Sequence, residues 1–137
     1  MSKREPILGV RCGVVGVIEA WWNKRKLELP QDAPGLWFGI VELAKQHERQ
    51  WMLYVAACPT FDLSDADAEW ATEYVSFPLS RDHYLPLRDL GIEVSGDWRA
   101  TLEAVAAAVR LLQPESFGAV QGVAVGYDDG DLTAWTR

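Results

Sequence analysis

The residues of this chain that could do chemistry are carboxylates and two histidines, and the carboxylates cluster twice. Asp62, Asp65, Asp67 and Glu69 fall in one short stretch, and Asp128, Asp129 and Asp131 in another. Alternate acids at 65, 67 and 69 resemble the start of a calcium loop, in which every second side chain turns toward the ion. Trp70 stands where that loop turns on a glycine and Ser76 where a bidentate glutamate closes it, so both diagnostic positions fail. The second cluster surrounds an Asp-Gly step, which is commonplace in hairpins that hold no ion. No metal and no cofactor is expected.

Catalysis by proton transfer or nucleophilic attack needs a base held beside its partner, with an acid to orient it. His47 and His83 are the only histidines, and neither lies in a motif. His47 closes an apolar stripe, where a histidine more often serves a helix C-terminus than a reaction. Ser80, Asp82 and His83 are close in sequence, but a triad is a spatial arrangement that also needs an oxyanion site. The glycines around Gly13 lack the Gly-Lys-Ser/Thr of a phosphate loop and the dinucleotide fingerprint. A non-catalytic protein is the expectation.

Charge then bears on the partner. The 137 residues carry 13 Lys and Arg against 20 Asp and Glu, a net charge of −7, and the acidic excess lies in the part beyond residue 50. A nucleic-acid binder would need phosphate-neutralising cations, and no apolar run approaches the roughly 20 residues of a membrane span. The balance suits solubility or a basic protein partner. Cys12 and Cys58 have no metal-ligand spacing and read as two buried thiols in a reducing cytoplasm rather than a disulfide. The apolar run from Ile7 to Ile18 is interrupted by Arg11 and by glycines, so no secretory leader is expected and the location is taken as cytoplasmic.

Elements must position these groups, and periodicity predicts them. Val10, Val14, Val17, Ile18 and Trp21 recur at helical spacing within Ile7 to Lys26, with Lys24, Arg25 and Lys26 at the end that favours cations. Leu36, Ile40, Leu43, Ala44 and His47 share one helical face, so a second helix is predicted over Leu36 to Arg49. Trp51 to Cys58 is a compact apolar run ending at Pro59, the pattern of a central strand. An acidic loop follows, and Trp70 to Phe77 alternates as the strand's hairpin partner. Ser80 to Leu90 suits at most a helical turn, broken by Pro86. Gly96 and Asp97 start the clearest helix, which runs to about Gln113 on a stripe of Leu102, Val105, Ala106, Val109 and Leu112 before Pro114.

The closing stretch predicts a hairpin with Asp129-Gly130 in a type I′ turn, so that Tyr127 faces Leu132, Gly126 faces Thr133 and Ala124 faces Trp135. That register puts Val123, Val125, Tyr127 and Leu132 beneath the 97–113 helix and Trp135 on the opposite face. The expected class is α+β, in the order α-α-β-β-α-β-β: one domain with an antiparallel sheet of four or more strands and helices mainly on one face.

If both acidic loops project from one end of that sheet, Asp62, Asp65, Asp67, Glu69, Asp128, Asp129 and Asp131 form a negative surface for a basic partner, with Trp135 as its aromatic anchor. Seven tryptophans in a chain this short make a partly covered anchor ring expected. The closing Val-Gly-Tyr-Asp-Asp-Gly-Asp-Leu-Thr-Ala-Trp, with Glu-Trp-Ala-Thr-Glu-Tyr-Val before it, resembles bacterial immunity proteins of polymorphic toxin systems. The resemblance implies a cytosolic inhibitor that neutralises a cognate toxin, often a nuclease, by binding it. It transfers no functional residue. The rival is a small-molecule binder or enzyme with a deep tryptophan-lined pocket holding a histidine or carboxylate, where an inhibitor should show a flat or convex acidic face.

Overall fold

The computed structural model describes residues 5–45, 48–62, 64, 68–72, 83–94, 96–112, 118–127 and 130–136, with the backbone alone for 5–12, 45, 48, 69 and 72. Helix α1 spans Glu5–Arg25 and ends on Lys24 and Arg25 as its sequence predicts. Strand β1 is Gly35–Lys45, β2 is Glu48–Cys58, and β3 is the two-residue Leu85–Pro86. Helix α2 spans Trp98–Val109, and β4 (Gly122–Tyr127) and β5 (Leu132–Thr136) close the chain. The architecture is α+β with a five-stranded sheet ordered β3-β2-β1-β4-β5. Among the described residues no helix is long and apolar enough to cross a membrane.

The segment predicted as a second helix is the central strand. Its Leu36 and Ile40 fit a helical period, but Leu36, Phe38 and Ile40 also alternate, and that second period matches both buried faces of the sheet. Leu36, Phe38 and Ile40 join one core cluster while Trp37 and Val41 pack in another. β1 therefore takes β2 as its antiparallel hairpin partner, with Phe38 opposite Val55 and Glu42 opposite Trp51. Trp70 to Phe77 does not hold that place. Glu69–Thr72 is a 3-10 turn, and 73–77 lies outside the described residues.

A parallel pair also departs from the all-antiparallel expectation. β1 and β4 run side by side with Gly35 opposite Gly122 and Gly39 opposite Gly126. All four glycines lie on one face, where rings approach the backbone directly. A Cβ on Gly39 would fall inside the Tyr54 ring, and one on Gly122 inside that of Phe61. This face carries the smaller core, built from Trp37, Tyr54, Ala56, Cys58, Trp70 and Ala124. The indole of Trp37 donates to the Tyr54 hydroxyl at 3.0 Å, tying the rings that lie over Gly126 and Gly39.

Both helices contribute to the larger core on the other face. Ile18, Trp21 and Trp22 of α1 and Leu102, Val105, Ala106 and Val109 of α2 pack with Leu36, Phe38, Leu53, Val123 and Val125. Asp97 caps α2, its carboxylate accepting from the Ala100 N–H at 3.0 Å. That cap and the buried stripe are those the sequence predicts.

The C-terminal hairpin forms in a register one residue away from the expected one. Gly126 faces Leu132, Ala124 faces Ala134 and Val123 faces Trp135. The Tyr127 N–H donates to Asp131 O at 3.1 Å, and the Gly130 N–H to Tyr127 O at 3.4 Å. Three residues, not two, are thus enclosed by the turn. Because side chains alternate with a period of two, the one-residue change exchanges the faces of β5. Trp135 moves to the main core and Leu132 to the glycine-bearing face.

Candidate functional site

The expected anchor is not where the register error placed it. Trp135 packs against the larger core, and the Arg110 guanidinium carbon lies 4.0 Å above its ring. Asp62 and Asp131, the described acids of the two clusters, also lie at opposite ends of the sheet. β2 leaves the sheet at Cys58, beside Gly35 and the start of β4, whereas Asp131 follows the far end of β4 next to Ile40 and Tyr127. Some 17 Å of strand lies between these ends, by the rise of an extended chain. Asp62 is exposed at the first end, where its carboxylate accepts from the Ser64 N–H at 2.9 Å and hydroxyl at 2.7 Å. Those two bonds hold its pKa below the ordinary value. Asp65, Asp67, Asp128 and Asp129 lie outside the described residues, as does the Glu69 side chain.

A different set of residues converges at the Asp131 end. Glu42 and Trp51 face each other across the β1–β2 pair, on the side that carries the helices. Tyr127 ends β4 on that same side, and Trp98 opens α2 above it. The three rings contact one another, with centroids 5.4 Å apart for Trp51 and Trp98, 5.8 Å for Trp98 and Tyr127, and 6.1 Å for Trp51 and Tyr127. The Tyr127 hydroxyl donates to the Trp98 carbonyl at 2.8 Å, pinning the strand end to the helix start. Together with Ile40, Val41, Glu42, Gly130 and Asp131 the rings line an open cleft of about 490 Å³. Trp98 keeps 50% of its surface exposed.

The cleft is apolar on its walls and negative at its edge. Burial raises the Tyr127 pKa, a hydrogen bond with Thr101 opposes that rise, and the charges of Asp131 and Asp97 add to it. The phenol is thus a neutral donor at ordinary pH. Glu42 accepts from Arg49 Nη1 at 3.2 Å. Asp131 is exposed, and its carboxylate has no ion pair among the described residues.

Of the predicted site residues, Asp131 alone is described at this cleft. Glu42, Trp51, Trp98 and Tyr127 were missed as a group because the first two become neighbours only if 35–45 is a strand. The signal for Trp98 was present. It lies four residues before Leu102, in line with the buried stripe of α2 but at the helix's exposed first turn.

Of the remaining chemical candidates, His83 has structural partners. His83 Nε2 lies 3.2 Å from Glu28 Oε2, and the His83 carbonyl accepts from the Trp21 indole at 3.2 Å, which ties the end of α1 to the segment before β3. Ser80, Asp82 and His47 are outside the described residues. Cys58 is a free buried thiol, whereas the Cys12 side chain is not described. Among the described residues no three His, Cys, Asp or Glu side chains converge as metal ligands. Comparison with protein families, curated proteins and solved structures finds no match for this chain.

Proposed function

We propose that this protein is a non-catalytic binding domain and that the Trp51, Trp98 and Tyr127 cleft is the face that receives its partner. The observation that carries this is the half-exposed Trp98 in contact with Trp51 and Tyr127, an open aromatic face with Glu42 and Asp131 at its edge, which departs from the flat or convex acidic face expected of an inhibitor. Aromatic faces carry negative charge density, so rings and carboxylates together favour a cation that has shed part of its water. A basic protein partner supplies such cations, and the overall charge of −7 steers it in. An immunity-type inhibitor of a basic toxin, acting in the cytoplasm, is the biological setting that fits this chemistry.

Direct binding of the intact chain to basic toxin domains, nuclease domains first, is the test. Affinity should fall steeply between about 0.05 and 0.5 M salt. It should also fall at least roughly tenfold in Trp98→Ala, the scale of an aromatic hot spot. Binding indifferent to salt, to Trp98→Ala and to Glu42→Gln/Asp131→Asn together would remove the reading. The second reading is a receptor for a small organic cation, favoured by the concavity of the cleft, whose volume lies in the range of small-molecule sites. It predicts saturable binding of a quaternary ammonium such as tetramethylammonium, without a protein partner.

A further inference from the structure

We infer that the cation received by this cleft is an arginine side chain, and that it enters by exchanging with Arg49 for the Glu42 carboxylate. This rests on the binding reading above and names the chemistry of the group bound.

Guanidinium recognition has two halves, a flat apolar surface for the plane of the group and a carboxylate for its N–H edge. This chain satisfies each half internally, in different places. Arg110 lays its guanidinium 4.0 Å over the Trp135 indole. Arg49 sets one guanidinium nitrogen 3.2 Å from Glu42 Oε1. The cleft offers both at once, with the Trp51 and Trp98 indoles as walls and Glu42 and Asp131 as acceptors. An ammonium is a more strongly hydrated point charge with no plane to stack, so the same walls reward it less.

Glu42 can take an incoming group because its present partner is loosely held. The Arg49 side chain is 74% exposed and is not among the residues lining the cleft. A single-point contact of that kind is weak and readily exchanged. Once Arg49 swings into solvent, Glu42 is free to meet a guanidinium stacked on the indoles. The volume of about 490 Å³ exceeds what one guanidinium fills, which leaves room for small neighbours of the arginine.

The experiment titrates the intact chain with the capped tripeptide Gly-Arg-Gly, reading the indole N–H signals of Trp51 and Trp98 by NMR. Gly-Lys-Gly and Gly-citrulline-Gly serve as controls, the latter keeping the planar shape without the charge. The expected result is arginine binding at least about fivefold tighter than lysine, and no saturable shift with citrulline. Arg49→Ala should tighten arginine binding by roughly two- to fivefold, the reach of a surface ion pair. Glu42→Gln and Trp98→Ala should each weaken it. Equal affinity for lysine, or saturable binding of citrulline, overturns the choice of arginine. Unchanged or weaker binding in Arg49→Ala overturns the exchange. If a basic protein partner binds through another face while the arginine tripeptide leaves both indoles unmoved, this inference fails and a binding function stands. If the tripeptide binds and no basic domain does, the cleft chemistry stands and the protein-partner reading fails.

Discussion

Single residues decide how closely rings approach this sheet. Gly39 lies under the Tyr54 ring, whose hydroxyl already accepts from Trp37, so neither ring can move aside alone. Gly39→Ala should therefore destabilise the fold by about 1–3 kcal/mol, the cost of overpacking, read from the urea midpoint. Cys58 lies on the same face, fully buried, with Sγ 3.8 Å from Ala71 O, and burial pushes its pKa up to about 12. In a Cys12→Ala background its alkylation near pH 8 should follow global unfolding, at least about 100-fold slower than a free thiol. A fast native reaction would mean that the 68–71 segment does not cover it. Tyr127 gives a pH prediction. Its folded pKa is raised above the ordinary tyrosine value of about 10, chiefly by burial. Its neutral form is thus favoured by folding, and the stability it contributes is complete below pH 10 and lost as pH rises through the folded value. Tyr127→Phe should remove one late-ionising component of the absorbance titration at high pH and flatten the alkaline loss of stability.

Elements reveal which sequence signals were sufficient. α2 was legible in its start and its face because cap and stripe agree, although it ends at Val109, short of the predicted Gln113. Asp97→Ala should lower stability by about 1 kcal/mol, a fall in Tm of roughly 3–5 °C for a domain of this size. The hairpin was legible as a hairpin but not in register. An Asp-Gly step suits a two-residue turn, yet Tyr127 bonds to Asp131 and encloses three. The deciding energy lies outside the turn, in seating Trp135 on the main core under Arg110 and Leu132 against the glycine row. A strong Hα–Hα contact between Ala124 and Ala134, a close-approach pair in this ladder, checks the register. The same contact between Val125 and Ala134, the close-approach pair of the alternative register, would restore the two-residue turn. β1 was misread for a related reason, because Leu36, Ile40, Leu43 and Ala44 satisfy a helical period while Leu36, Phe38 and Ile40 satisfy a strand's.

At the scale of the molecule, β1 is the element on which everything else depends. It is bonded on both edges and buried on both faces, whereas β3 and β5 lie at the margins. Hydrogen exchange should therefore be slowest for the amides of Leu36 to Ile40 and much faster along β5, since local opening exposes edges first. Protection greatest in the β4–β5 hairpin would contradict that hierarchy. The sequence by itself determined the α+β class, both helices that form, the apolar β2, the closing hairpin and the acidic balance, because each is a local period or a composition. Tertiary structure alone decided that 35–45 extends between β2 and β4, that β1 and β4 run parallel with their glycines matched, and that Trp98 rather than Trp135 stands open. The reason is physical. A sequence that fits two periods takes the one whose buried faces find partners, and those partners lie at the far end of the chain. The cleft of Glu42, Trp51, Trp98, Tyr127 and Asp131 exists only after that choice is made.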